Sequence, residues 1–196
     1  MIILFGAAGS GKSTQGRILA EKFGWKWLSV GQVLRDTGKF AETLQAGELV
    51  DDETVIRLMN AQMEKAEAEG MNVILDGYPR DVKQAEWMMA NIADKIEGAI
   101  VLDVPKEELW QRIGRRGRSD DTKEVVERRF EIFEQNICSI SPLLKSKNVE
   151  ITTVDGVGEF EEVTERLAEK VKEMVPDARE QEQDVNNGVW ENSYGE

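Results

Sequence analysis

The chain has 196 residues, 40% apolar and 32% charged, with a net charge of −13, a composition that predicts one or two soluble globular domains. No apolar run approaches the ~20 residues of a membrane span, the N-terminus lacks the basic region of a secretory signal, and the acidity opposes a general nucleic-acid-binding face, so the expectation is a cytoplasmic protein with neither membrane nor nucleic acid as partner. With no histidine and one cysteine, Cys138, an intramolecular disulfide, a Cys/His zinc site and a histidine general base are excluded.

In chain order, the apolar run at 1–5 leads through a glycine-rich stretch into a helix predicted at 12–23. That is half of a βαβ unit. A short strand follows at Trp27-Leu28-Ser29, then helices at 31–37 and 51–69, a strand at 72–76 and a helix at 80–93. The next strand is at 99–103, followed by a helix at 105–114 with Pro105 in its first turn, a helix at 121–136, a strand at 149–154 and a helix at 158–175. Cys138 lies in a helical-looking stretch and is expected to be a small buried residue. Apolar strands alternating with amphipathic helices predict an α/β fold, a doubly wound parallel sheet of about five strands. Residues 177–196 are polar and acidic without apolar periodicity, and are expected to form a disordered tail beyond a core spanning 1–176.

Gly6-Ala7-Ala8-Gly9-Ser10-Gly11-Lys12-Ser13 fits G-x-x-x-x-G-K-[ST] and sits between a strand and a helix, where that phosphate loop belongs. Glycines let backbone N–H groups turn inward around phosphate oxygens, Lys12 reaches the β and γ oxygens, and Ser13 offers a hydroxyl to Mg²⁺. Asp76 ends the run Val73-Ile74-Leu75, where a carboxylate can hold the hydration shell of that ion. Arg112, Arg115, Arg116, Arg118, Arg128 and Arg129 place half of the chain's arginines between 112 and 129. Such clustering repels itself and suits an anionic ligand, with ion pairing to Asp120, Asp121, Glu124 and Glu127 as the alternative for individual members. Gly114 and Gly117 punctuate the cluster as in a mobile flap. The lack of a histidine fits transfer of a phosphoryl group to a nucleotide phosphate, whose second pKa near 6 leaves it already dianionic at neutral pH.

Taken together, G-A-A-G-S-G-K-S-T-Q, S-V-G-Q-V-L-R at 29–35, G-E-L-V at 47–50, D-G-Y-P-R with Gln84, G-R-R-G-R-S-D-D at 114–121 and E-R-R-F resemble the adenylate kinase family over about residues 1–175. The resemblance implies a P-loop NTPase-type core, a monophosphate-binding arm at 29–58 and a short lid at 114–121. Gly9, Ser10, Gly11, Lys12, Ser13 and Thr14 would hold ATP phosphates, with Arg112 and Arg116 facing ATP and the backbone at Gly158 beside its adenine. Val30, Arg35, Glu48, Leu49, Val50, Gly77, Tyr78, Pro79, Arg80, Gln84, Arg118 and Arg129 would form the AMP site, Gln84 reading the adenine edge. Lys12, Arg80, Arg118 and Arg129 would be catalytic, with Mg²⁺ held by Ser13 and Asp76 largely through water. Three features depart from the family pattern. The lid has no cysteine-rich zinc segment, Val30 stands where threonine is common, and the stretch from Arg35 to Val50 is short. The expected activity is reversible, Mg²⁺-dependent transfer from ATP to AMP by a monomer, with a UMP/CMP kinase or a non-catalytic nucleotide-binding module as alternatives.

Overall fold

The computed structural model describes residues 1–45, 50–117 and 121–180. Strands β1 (Ile2–Gly6), β2 (Lys26–Ser29), β3 (Val73–Asp76), β4 (Gly98–Asp103) and β5 (Ile151–Asp155) form one sheet in the order β2-β3-β1-β4-β5, and every pairing is parallel. Parallel neighbours need crossovers. These are supplied by α1 (Lys12–Phe23), α2 (Val30–Asp36), α3 (Ala41–Gln45), α4 (Asp52–Ala68), α5 (Val82–Asn91), α6 (Lys106–Arg116) and α7 (Lys123–Ser146), with a 3₁₀ turn at Ala93–Lys95, and α8 (Phe160–Met174) follows the last strand. The architecture is the doubly wound α/β sheet that the alternation of elements predicts.

Why the sheet is covered on both faces follows from the period of two in a strand. In β1, Ile2 and Leu4 join Leu19, Phe23, Ile74, Leu167 and Val171 under α1 and α8. Ile3 and Phe5 point the other way, to Leu28, Met59, Met63, Leu75, Met88, Ile140 and Leu144 under α4, α5 and α7. All five residues of β1 are buried, and each large aliphatic or aromatic side chain so buried contributes ~1.5–3 kcal/mol. A smaller cluster of Val104, Leu109, Ile113, Val126 and Phe130 packs α6 against α7. That cluster sets the base of the segment expected to be the lid.

Local signals account for the helix starts. Asp51 accepts from the N–H of Thr54 at 2.9 Å and Asp81 from that of Gln84 at 3.0 Å, satisfying backbone donors that α4 and α5 leave open. Thr122 plays that part for α7. Pro105 is the residue immediately before α6 rather than inside its first turn.

Two expectations need correction. Helix α7 does not end near 136 but runs through Pro142 to Ser146, because Ile140 and Leu144 continue its apolar stripe into the core beside α5. That burial outweighs the cost of an interior proline, ~3 kcal/mol. The Ser139 and Ser141 hydroxyls bond back to the carbonyls of Gln135 at 3.1 Å and Ile137 at 2.6 Å. The same helix turns Cys138 out to solvent, since Ile137, Ile140 and Leu144 define the inward face at helical spacing. It is exposed, not buried.

The tail boundary also shifts. Ala178 packs on the α1/α8 cluster, and its N–H bonds to Val175 O at 2.8 Å. Glu180 pairs with Lys22 at 3.1 Å and with Lys172. Residues 177–180 are therefore part of the folded body, and 181–196 lie outside the described residues. Deleting 181–196, a polar acidic stretch, should leave the melting temperature unchanged. Removing 177–180 as well should lower it by roughly 2–4 °C, the equivalent of about 1 kcal/mol in a chain of this size. Calorimetry of the two truncations checks this, and equal melting temperatures would show that the docked segment contributes nothing.

Candidate active site

In an open parallel sheet, ligands bind beyond the carboxyl ends of the strands, where the strand order reverses. Here β1 is flanked by β3 and β4, and a cavity of about 550 Å³ opens at that end. The phosphate loop forms its floor. Gly9 and Gly11 have φ of 84° and 90°, conformations a side chain resists, and a Cβ on Gly9 would meet Ile113 at 2.8 Å. The loop leads directly into the N-terminus of α1, where open N–H groups and the helix dipole favour an anion.

Cations line the rest of the cavity: Lys12, Arg17, Arg35, Arg80, Arg112 and Arg129, drawn from α1, α2, the turn after β3, α6 and α7. Each is aimed by protein partners. Arg35 donates to Gln32 at 3.2 Å, and Arg80 Nε to Gly77 O at 2.9 Å. Arg112 spans Glu108 at 2.9 Å, Ser10 O at 3.3 Å and Gly156 O at 3.0 Å, joining the phosphate loop to the loop after β5. Arg129 pairs with the Asp121 carboxylate at 3.2 Å. Burial presses the Arg80 guanidinium below its ordinary value, Asp76 opposes that, and Arg129 and Arg35 add to it. Guanidinium groups stay charged regardless. The arrangement therefore favours an anion that meets several of them at once.

Asp76 ends β3 in the same cavity, 1% exposed, and neither carboxylate oxygen has a hydrogen-bond partner among the described residues. A buried, unsatisfied carboxylate is costly unless something cationic or hydrated meets it. Ser13 lines the same cavity. Mg²⁺ is usually held by one or two carboxylates plus water and substrate phosphate, and Asp76 and Ser13 in this cavity are donors of that kind. The donor set fits that ion.

Of the expected site residues, Gly9, Gly11, Lys12, Ser13, Thr14, Arg35, Asp76, Gly77, Pro79, Arg80, Arg112 and Arg129 line the cavity. Ser10 is buried in the loop, and Val30, Val50 and Tyr78 are buried in the core under α2 and α4. Gly158 lies in the loop between β5 and α8, with φ of 124°. Arg115 and Arg128 are exposed. Glu48, Leu49, Arg118 and Asp120 lie outside the described residues, as does the side chain of Arg116. Lining residues that were not foreseen include Arg17, Trp27 and Asn136. Arg17 is one turn beyond Ser13 and Asn136 two turns beyond Arg129, so helical spacing held the signal. Asn136 donates to the Arg80 carbonyl, and Arg17 lies 5.4 Å from the centre of the Trp27 ring.

Gln84 is 1% exposed and its carboxamide is committed to the protein. Oε1 accepts from Arg80 N at 2.8 Å, while Nε2 donates to Asp52 at 3.0 Å and Asp81 at 2.8 Å. The two carboxyls titrate as a pair. Burial, and then Asp52, push Asp81 up to about 6, whereas the bond from Asp81 holds Asp52 below the usual carboxylate range.

The family model for adenylate kinase matches residues 4–149. The chain belongs to the adenylate kinase family. It is 34% identical over 176 residues to an adenylate kinase of Nocardia farcinica, covering 84% of this chain and 95% of that one. With an adenylate kinase of Maricaulis maris it shares 34% over 187 residues, 88% of this chain and 98% of the relative. For one of Thermus thermophilus the figures are 33% over 181 residues, 85% and 94%.

The Asp52–Asp81 pair gives a pH-dependent stability. An acid whose native pKa exceeds its unfolded one stabilises the fold while it is protonated; the benefit is complete below its ordinary value of 3.8 and lost as pH rises through about 6. Asp81→Asn keeps a cap acceptor and cannot ionise. It should therefore be more stable than wild type above pH 6, by no more than ~1 kcal/mol because Asp81 is partly exposed and solvent screens the pair, and the gain should vanish below pH 4. Urea unfolding at pH 4 and pH 7.5 measures the difference, and a gain equal at both values would remove ionisation as its cause.

Proposed function

We infer that the protein is an adenylate kinase, transferring the γ-phosphoryl group of ATP reversibly to AMP to give two ADP. The observation that carries this reading is the convergence of Lys12, Arg35, Arg80, Arg112 and Arg129 on one cavity that also holds the phosphate loop and Asp76. The curated relatives are adenylate kinases along nearly their whole length, so a UMP/CMP kinase and a non-catalytic binding module are not favoured.

The roles follow from position. The amides of Gly9 to Thr14 cradle the ATP phosphates, with Lys12 at the oxygens where charge builds during transfer. Arg80 and Arg129, with Arg35, take the acceptor phosphate, and Arg118 is assigned to the transferring group from its place in the R-S-D-D motif. Arg112, beside the loop after β5, and Arg116 serve the ATP side, with Gly158 near its adenine. Glu48, Leu49 and Val50 belong to the acceptor pocket, and Gln84 reads the acceptor base. The acceptor is already dianionic at neutral pH, so no general base is required. What remains is in-line positioning and charge neutralisation. Mg²⁺, when bound, neutralises phosphate oxygens; Ser13 and Asp76 would hold it. The reading includes a monomeric enzyme in a cytoplasmic setting, which supplies both nucleotides. Among the described residues no helix is long and apolar enough to cross a membrane.

Two measurements test the function. With AMP, CMP, UMP and GMP offered against fixed Mg·ATP, AMP should give the highest kcat/KM; a preference for a pyrimidine monophosphate would overturn the choice of acceptor. Lys12→Met should fold yet lose turnover by ~10²-fold or more, the scale on which removal of one charge-stabilising group acts. Near-normal turnover of the folded variant would overturn the mechanism.

A further inference from the structure

The carboxamide of Gln84 makes three side-chain bonds inside the protein, and they are not equivalent. Asp81 caps the same helix, α5, and also takes the Gln84 N–H, so its bond to Nε2 is local. Asp52 is the first residue of α4, 32 residues away in sequence and within the segment 29–58 expected to form the acceptor arm. The bond from Gln84 Nε2 to Asp52, at 3.0 Å, therefore ties that segment to α5.

An adenine edge presents an acceptor beside a donor, so a carboxamide reads it with one N–H and one carbonyl lone pair. Oε1 has a lone pair beyond the one that Arg80 N uses. Nε2 has two hydrogens, and both are engaged by carboxylates. One of them has to be released before a base is read. Asp81 is held in place by its capping bond, whereas the Asp52 side chain is 27% exposed, with Lys83 at 3.8 Å to compensate its charge after it leaves. Tyr78, with a buried hydroxyl that lacks a partner among the described residues, feels the charges of both carboxylates. It offers a second group to meet them.

We propose that Asp52 is a positioning residue that occupies Gln84 in place of the acceptor base, so that binding of the monophosphate exchanges the Asp52–Gln84 bond for a base–Gln84 bond and unties the arm from α5. The proposal rests on Gln84 being the reader of the acceptor base. The exchange taxes acceptor affinity and leaves ATP affinity alone, because a charge-assisted bond must be given up only on the acceptor side.

The test is steady-state kinetics with Asp52→Ala, Asp52→Asn, Gln84→Leu and the double variant Asp52→Ala/Gln84→Leu, with folding verified by circular dichroism. Asp52→Ala should lower KM for AMP by roughly threefold to tenfold, the range expected when one such competing bond is removed, with KM for ATP unchanged. Asp52→Asn, a neutral acceptor, should fall between. In the Gln84→Leu background the Asp52 substitution should have no effect on KM for AMP. If Gln84→Leu raises KM for AMP while Asp52→Ala and Asp52→Asn leave it unchanged or raise it, the exchange is wrong and the reader stands. If Gln84→Leu leaves KM for AMP unaltered, the reader itself is wrong and the proposal falls with it. A shift of equal size in KM for ATP would mark Asp52 as merely structural.

Discussion

Mutual repulsion among cationic side chains around one cavity is the constraint that the rest of this structure answers to. Lys12, Arg17, Arg35, Arg80, Arg112 and Arg129 share that space, and the charges of Arg129 and Arg35 act on Arg80, a repulsion that water only partly screens. An acidic chain tolerates the arrangement because carboxylates and carbonyls hold the guanidinium groups from behind. Glu108, Asp121, Gly77 O, Ser10 O and Gly156 O do so here. All six line one cavity, where an anion meets several of them at once. Catalysis of phosphoryl transfer asks for little more, since the transition state needs oriented positive charge rather than a covalent partner.

Holding charges in that way requires a rigid frame, and the parallel sheet provides it. Strand β1 is buried on both faces by alternating side chains, so the loop that follows it starts from a fixed point. Helix α7 contributes over a longer span than its polar and proline-containing sequence suggests. Its Arg129 and Asn136 face the cavity while Ile140 and Leu144 anchor it beside α5. Buried length thus becomes positional accuracy for the guanidinium at its other end.

The surroundings of Gln84 are built differently. Around Gln84, polar groups of α4 and α5 satisfy one another without ligand, and a carboxylate pair shares the carboxamide between two elements. Buried polar networks of this kind are costly when incompletely paired. Under the proposed role of Gln84, a base that enters has to replace what it displaces, and that requirement is a source of selectivity. The phosphate loop, by contrast, opens into a cavity lined by cations, where charge rather than hydrogen-bond pattern dominates.

The sequence by itself determined the phosphate loop, the aspartate that ends β3, the alternation of strand and helix and the family, because these are local: a glycine pattern, a strand end, a period of two or 3.6. Arg17 and Asn136 were legible at helical spacing but had no motif to single them out. The strand order that places β1 between β3 and β4, the exposure of Cys138 and the docking of 177–180 were decided by tertiary structure, since each depends on contacts between segments distant in sequence. So was the state of Gln84. A motif can say that a carboxamide stands at that position, but only packing of α4 against α5 brings Asp52 within 3.0 Å of it, and a partner 32 residues away leaves no local trace in the chain.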